Sequence, residues 1–275
     1  MSRRPLVISA SRRTDLPGFH AKECARRIRQ RESRLRTRFL YGVVFWSRHV
    51  RPFYGGGPLE SLLDDIANPF LNLTATGLGG SGIEPGVPAT DAVLDGLPAL
   101  ARALRGEGWR IRWRFDPLLP DGLSDLDEFQ RIADAMAAVG VESCTFSFPA
   151  YRSLAGDLTP RFEAAGIPRW REEAKAPFLA RMVEIARPRG IRLLSCCQPW
   201  NLDLHPEIEA AACISREQLE RGHPDHLPLD LPRDPSQRTH CNCAASEDIG
   251  RYDIDRCRGG CAYCYSKAGG PVPAV

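Results

Sequence analysis

Three of the ten cysteines in this chain fall in one short run, Cys257-Arg-Gly-Gly-Cys261-Ala-Tyr-Cys264-Tyr265. The C-x3-C-x2-C spacing places three thiolates on one loop, dense enough to ligate three irons of a [4Fe-4S] cube. The fourth iron is then open to a substrate or cofactor, whereas a ferredoxin-type carrier fills all four positions with cysteine. A second group, Cys241-x-Cys243, lies upstream, with Cys197 and Cys213 as candidate partners. These four can hold a second cluster or a zinc ion. A small buried hydrophobe is the competing reading for Cys197 and Cys213, and the one adopted for Cys24, Cys144 and Cys196. His240, beside Cys241, can serve as a ligand or proton carrier, although a lone histidine is more often neither.

The rest of the composition narrows the setting. Length, 275 residues, suits one large domain, and 43% hydrophobic content supports a sizeable core. A net charge of +3 does not by itself imply a nucleic-acid partner. The seven arginines between Arg26 and Arg38 read first as a solvated helix face, with phosphate contact as the alternative. The apolar stretch Leu6 to Ile8 is too short for a signal-peptide core or a membrane span. The expected location is cytoplasmic, without a membrane partner. Thiols stay reduced there, so clustered cysteines read as metal or redox ligands.

Short apolar runs alternate with amphipathic segments. The spacing predicts strands at Leu6–Ala10, Gly42–Trp46, Leu71–Thr76, Arg110–Phe115, Ser143–Phe148 and Ile191–Cys196. Between them lie helical stripes. Asp15 can cap a helix running to about Arg36, and Thr90 can cap another along Leu94, Leu97, Ala101 and Leu104. Ser124 precedes the stripe of Phe129, Ile132, Ala133 and Met136, and Ser215-x-x-Gln218 is a capping box. Alternating strands and helices predict a parallel sheet in an α/β fold, a single (β/α) barrel-like domain of the TIM type. An open doubly wound sheet is the alternative, but no G-x-G-x-x-G follows the first strand. The domain spans 1–268, with an iron–sulfur segment at 239–265 and a disordered tail at 269–275. Residues 222–238 read as an irregular connector, and Ile249–Ile254 as a last strand before the cysteine loop.

In barrel enzymes the site lies at the C-terminal strand ends. Here those ends carry Ser11, Arg12 and Asp15; Trp46, Ser47 and Arg48; Arg114 and Asp116; and Cys196 with Cys197. Guanidinium groups there suit an anionic or zwitterionic ligand. Ion pairs Arg12–Asp15 and Arg114–Asp116 that merely close the rim are the competing reading. Trp46, Trp113 and Trp200 can stack on a base, although core packing is the default.

The cysteine loop with its aromatic Tyr263 resembles the cluster loop of radical S-adenosylmethionine (radical SAM) enzymes, which carry it near the N-terminus. The whole chain resembles a bacterial and archaeal family catalogued as a domain of unknown function, number eighteen forty-eight. The resemblance rests on Ile8-Ser-Ala-Ser-Arg-Arg-Thr-Asp15, Phe45-Trp46, Trp113-Arg-Phe-Asp-Pro117, Ser195-Cys-Cys197, Cys213-Ile214 and Cys241-x-Cys243, and on Ser246-x-Asp248-Ile-Gly250 with the terminal cysteines. Gln198 departs from it, standing where an acidic residue is common. The resemblance implies a circularly permuted radical SAM barrel with the cluster loop at the C-terminus. It implies a [4Fe-4S] cluster on Cys257, Cys261 and Cys264, with a second on the upstream thiols in the two-cluster version. S-adenosylmethionine would bind the open iron, with Ser11, Arg12 and Asp15 at its methionine part and Tyr263 near the adenine. Arg114 and Asp116 are the catalytic candidates toward an unidentified substrate, with flavodoxin or ferredoxin as electron donor. Two other classes stay open. One is an iron–sulfur redox or sensor protein whose fourth ligand is Cys241 or Cys243. The other is a nucleic-acid-processing protein with a structural cluster or zinc.

Overall fold

The apolar runs form the strands of one parallel sheet in the computed structural model, which describes residues 4–35, 37–153 and 156–264. In chain order the elements are β1 (Arg4–Ala10), α1 (Leu16–Phe19), α2 (Ala21–Glu32), β2 (Arg38–Ser47), α3 (Glu60–Asp65), β3 (Pro69–Thr74), α4 (Thr90–Ala103), β4 (Ile111–Arg114), α5 (Leu126–Ala138) and β5 (Ser143–Phe146). A two-stranded antiparallel ribbon, β6 (Arg152–Ser153) and β7 (Gly156–Asp157), follows. Then come α6 (Thr159–Ala164), α7 (Glu172–Ala186), β8 (Arg192–Ser195), β9 (Ile208–Ala210), α8 (Arg216–Gly222) and β10 (Glu247–Asp248).

The main sheet has eight strands in the order β10-β1-β2-β3-β4-β5-β8-β9, and every neighbouring pair is parallel. Its edges, β10 and β9, do not pair with each other, so the sheet is open and the closed barrel expected from the sequence is corrected. The doubly wound alternative does not describe it either. From β1 onward the order runs with the sequence and never reverses, and right-handed crossovers in such an order put the helices on one face.

Alternation along the strands sorts the two faces. Leu6, Ile8, Val43, Phe45, Leu71, Leu73, Trp113 and Phe146 point to the helices and join Ile28, Leu97, Leu100, Ile132, Met136 and Met182 in the main core. Trp113 stacks on Phe129 with ring centroids 4.9 Å apart, and Phe115 meets Phe129 edge-on. The opposite face carries Val7, Val44, Phe70 and Leu194 together with buried polar residues, Asn72, Arg112, Arg114 and Thr145. Buried polar groups need partners, and most of these find them in the segment after β9. Asn72 Nδ2 donates to the Cys213 carbonyl at 3.1 Å, and Arg112 donates to the Ala212 carbonyl and to Gln218 Oε1. Arg110 Nη2 donates to the Gly222 carbonyl at 3.0 Å. Polar side chains on β3 and β4 thus pull residues 212–222 across the second face.

Several boundaries differ from the sequence reading. The first helix breaks into α1 and α2 at His20. Asp125, not Ser124, caps α5 by accepting from the Glu128 amide, while Ser124 Oγ accepts from the Leu119 amide. Thr90 is the first residue of α4 and its cap position is Ala89. The last strand is Glu247–Asp248 rather than Ile249–Ile254, and β9 is an addition. The expected connector at 222–238 is irregular from residue 223 on, apart from an isolated bridge between Arg233 and Ala244, while Gly222 ends α8. The tail at 269–275 lies outside the described residues. Among the described residues no helix is long and apolar enough to cross a membrane.

Because Phe129 touches both buried aromatics of β4 and its flank, Phe129→Ala is expected to cost about 3–5 kcal/mol of unfolding free energy. Equilibrium denaturation checks this; a loss under about 1 kcal/mol would mean that the aromatic cluster is not central to the core.

Candidate metal centre

The cysteine loop sits where its flanking residues tie it down. Ahead of it, Arg27 of α2 grips the buried Asp255 through Nη1 at 2.5 Å and Nη2 at 2.8 Å. Arg31 of the same helix pairs with Glu247. The arginine-rich helix therefore directs part of its charge at the chain's own C-terminal segment. Within the loop, the Gly86 amide donates to the Gly259 carbonyl at 3.0 Å and the Ala262 amide to the Ile83 carbonyl at 2.9 Å. Contact at Gly86 is so close that a Cβ there would collide with the Arg258 carbonyl. After the loop, Arg161 Nη1 donates to the Cys264 carbonyl at 2.9 Å. Ala262 and Tyr263 complete a small apolar cluster with Leu119, Leu158, Phe162 and Ile167.

Glu84 is the anchor that sequence reading missed. It is 1% exposed, and its Oε1 accepts from Arg48 Nη1 at 2.8 Å, from Thr76 Oγ1 at 2.8 Å and from the Tyr263 hydroxyl. Arg48 Nη2 in turn donates to the Tyr263 oxygen at 2.6 Å. Burial, with the Glu84 charge adding to it, pushes the Tyr263 hydroxyl well above its ordinary value, so it stays a donor. Tyr263, expected beside an adenine, spends its polar atom on holding the loop to the ends of β2 and β3.

Cys257, Cys261 and Cys264 all open onto one cavity of about 210 Å³. Its other walls include Arg12, Asp15, Trp46, Arg48, Arg114, Asp116 and Phe148, which are the C-terminal ends of β1, β2, β4 and β5. The triad and the strand ends singled out from the sequence thus share one space. The donor set fits a cluster chemically: three thiols face one cavity, and the loop leaves room between two of them. An added Cβ at Gly259 would stand 3.4 Å from Cys257 Sγ and 3.5 Å from Cys261 Sγ. Backbone amides of Gly259 and Asp15 point at the Cys257 sulfur. Burial raises the Cys257 thiol and pushes Cys261 up to about 12. They therefore give up protons readily only to a metal. Among the described residues no three His, Cys, Asp or Glu side chains surround a single metal-ion position.

The three expected cofactor ligands just after β1 do more structural work than the sequence suggested. Asp15 Oδ1 accepts from the Gly18 amide and Ser47 Oγ, each at 2.8 Å. Its Oδ2 accepts from the Arg48 amide at 2.9 Å and faces His49 Nδ1 at 3.0 Å. Burial would raise this carboxyl, but His49, the Arg48 amide and Ser47 together hold it below its usual value. Ser11 Oγ donates to Asp248 at 2.6 Å. Arg12 pairs with Asp234 at 2.9 Å, so the competing reading of an Arg12–Asp15 rim pair does not describe it. Its Nη1 is buried with no partner among the described residues. Arg114 does pair with Asp116, whose Oδ1 accepts from Ser147 Oγ at 2.5 Å. Trp46 lines the cavity, Trp113 is core, and Trp200 is exposed, with its ring edge-on to His240.

The upstream thiols gather elsewhere, and their number is five. Cys196 Sγ lies 3.9 Å from Cys197 Sγ and 4.0 Å from Cys213 Sγ. Cys197 also faces Cys241, Cys241 faces Cys243, and Cys243 faces Cys213. Cys196 is buried, as expected, and in addition belongs to this ring; Cys24 and Cys144 are core as expected. Arg114 Nη1 donates to Cys213 Sγ at 2.9 Å. The Cys196 and Cys243 thiols, aided by Arg114 and Arg112, pull Cys213 well below the ordinary thiol value against the effect of burial.

Comparison with known proteins places the chain in a family. A family model described as "Domain of unknown function (DUF1848)" matches residues 7–266, and the chain belongs to that family. No curated protein matches it. Among solved structures, a tandem GH20 catalytic module of the pneumococcal exo-β-D-N-acetylglucosaminidase is similar at 10% identity, over 71% of this chain and 54% of that one. The chain thus spans about half the length of that structure, and the TM-score of 0.26 carries no argument.

Removing the buried anchor should loosen the loop. Glu84→Ala leaves Arg48 buried without its carboxylate, a change that costs about 3–5 kcal/mol. Amide exchange across residues 257–264 should accelerate in this variant. Unchanged exchange there would show that the Tyr263–Glu84–Arg48 network does not position the cysteines.

Proposed function

We propose that this DUF1848 protein is a radical SAM-type enzyme acting on an unidentified substrate. The observation that carries the reading is that Cys257, Cys261 and Cys264 open together onto the cavity formed by the strand ends. Cys241 and Cys243, the candidates for a fourth ligand, are instead committed to the separate thiol ring. That division supports a cube with three protein ligands and one open iron, and it weighs against the closed-cluster sensor. In this reading β10 takes the place of a barrel's first strand. It pairs in parallel with β1 through Ile8–Glu247 and Ser9–Asp248, and its chain runs on into the cysteine loop. The sheet is then an opened, circularly permuted relative of the radical SAM barrel.

The three thiolates would hold a [4Fe-4S] cluster, which, with S-adenosylmethionine bound and an electron from flavodoxin or ferredoxin, supplies reductive cleavage to a 5′-deoxyadenosyl radical. The chain's own residues do the positioning. Arg12, with one buried nitrogen unpartnered among the described residues, is suited to the carboxylate of the methionine part. Asp15 fixes the rim by holding β1, α1 and β2 together, and Ser11 ties β1 to Asp248. Trp46 and Phe148 give the cavity apolar walls, and Arg114 with Asp116 forms its charged far wall toward the substrate.

Anaerobically reconstituted protein given dithionite and S-adenosylmethionine should yield 5′-deoxyadenosine and methionine, read by chromatography. Cys261→Ala should abolish the product. Arg12→Gln should raise the S-adenosylmethionine concentration needed, at unchanged iron content. A fully loaded cluster that gives no 5′-deoxyadenosine and no spectral change with S-adenosylmethionine would rule the reading out and leave an electron-transfer or sensor protein.

A further inference from the structure

The five-thiol ring lies at the seam of the open sheet. Cys196 and Cys197 directly follow β8, Cys213 follows the edge strand β9, and Cys241 and Cys243 precede the other edge strand, β10. Backbone contacts join the same segments. The Ala211 amide donates to the Ser195 carbonyl at 2.9 Å, and the Ala244 amide to the Ile214 carbonyl at 2.9 Å. The Ile214 amide points at Cys243 Sγ at 3.4 Å. Vicinal cysteines on a regular strand would face opposite ways, yet both face the ring here because Cys197 takes φ +56°. A left-handed backbone at a non-glycine residue is strained, so the turn needs compensation.

Sulfur spacing and charge both suit a metal. Two thiolates on one tetrahedral metal atom, at about 2.3 Å each, stand about 3.8 Å apart. The separations of 3.9 and 4.0 Å around Cys196 are close to that edge. Among the described residues the five sulfurs do not surround a single ion position. Anionic thiolates would meet Arg114 on Cys213, Arg238 Nη2 at 3.8 Å from Cys196 Sγ, and the buried Arg112. We propose that this ring is a second thiolate-ligated metal centre, separate from the Cys257–Cys261–Cys264 triad, that ties the segment leaving β9 to the segment entering β10. Through Arg114, which touches Cys213 on one side and lines the cavity on the other, it also forms part of the foundation of the candidate site.

The test uses the full chain with Cys257, Cys261 and Cys264 all changed to Ser, so that failure of the radical SAM reading leaves it untouched. This variant is reconstituted anaerobically, in one arm with iron and sulfide and in the other with zinc, and its metal and acid-labile sulfide are measured. Stoichiometric metal with sulfur neighbours in X-ray absorption, lost when Cys213→Ser and Cys241→Ser are added, is the expected result. Iron with sulfide identifies a cluster, and zinc held without iron identifies zinc–thiolate ligation by the same ring. If the added changes prevent folding, the comparison of loaded and stripped triad variant decides instead. Amide exchange at Ile214 and Ala244 should slow markedly on loading while that of β4 stays constant. Absence of stoichiometric metal in both arms, metal indifferent to the ring cysteines, or exchange at the seam indifferent to loading would each overturn the proposal.

Discussion

A buried carboxylate, Glu84, holds the cysteine loop against the sheet, and the candidate site depends on it. The loop is otherwise a short irregular segment with few apolar side chains, near the C-terminal end of the described residues. Such segments have little burial of their own to hold them. Glu84 supplies what they lack by joining Arg48 at the end of β2, Thr76 after β3 and Tyr263 between the second and third cysteines. At 1% exposure the Glu84 carboxyl has its Oε1 met by a guanidinium and two hydroxyls, while its Oε2 is buried without a hydrogen-bond partner among the described residues. Removing Glu84 takes an acceptor from Arg48, Thr76 and Tyr263 at once, so the network depends on it.

The same logic runs through the remainder of the molecule. Asp15 joins β1, α1 and β2; Asp248 joins β10 to Ser9, Ser11 and the Arg12 amide; Asp255 is gripped by Arg27. Hydrophobic burial on the helix side assembles the strands, as alternation requires. The opposite face mixes apolar side chains with buried polar ones, and hydrogen bonds to residues 212–222 help to seal it. An open sheet with a mixed second face gives a site built from many strand ends. It also leaves a seam, where the second thiol group sits.

Much of this was legible in the sequence, for identifiable reasons. Six apolar runs matched strands because each is buried on both faces and reads as continuous hydrophobicity. Asp15 as a cap followed from its place before Leu16 and Pro17. The triad and the strand-end residues Arg12, Asp15, Arg114 and Asp116 were legible as a group, and they line one cavity. What was hidden lacks a local signal. β10 is two acidic residues whose pairing depends on Asp248 reaching Ser9 and Ser11, and β9 is three residues with an exposed glutamate. Glu84 is an isolated acid in a glycine-rich loop, and only the fold brings Tyr263 to it. Cys196 is buried as read, but its place among the other thiols depends on the left-handed turn at Cys197, which no residue type in the run signals.

The central claim is that three cysteines leave one iron facing the strand-end cavity, where S-adenosylmethionine can reach it. The most direct measurement is electron–nuclear double resonance on the reduced wild-type protein, with S-adenosylmethionine labelled with 15N in its amino group and 17O in its carboxylate. The account predicts hyperfine coupling from both labels, and its loss on excess unlabelled compound. A reduced cluster whose spectrum shows no coupling to either label at saturating S-adenosylmethionine would contradict it.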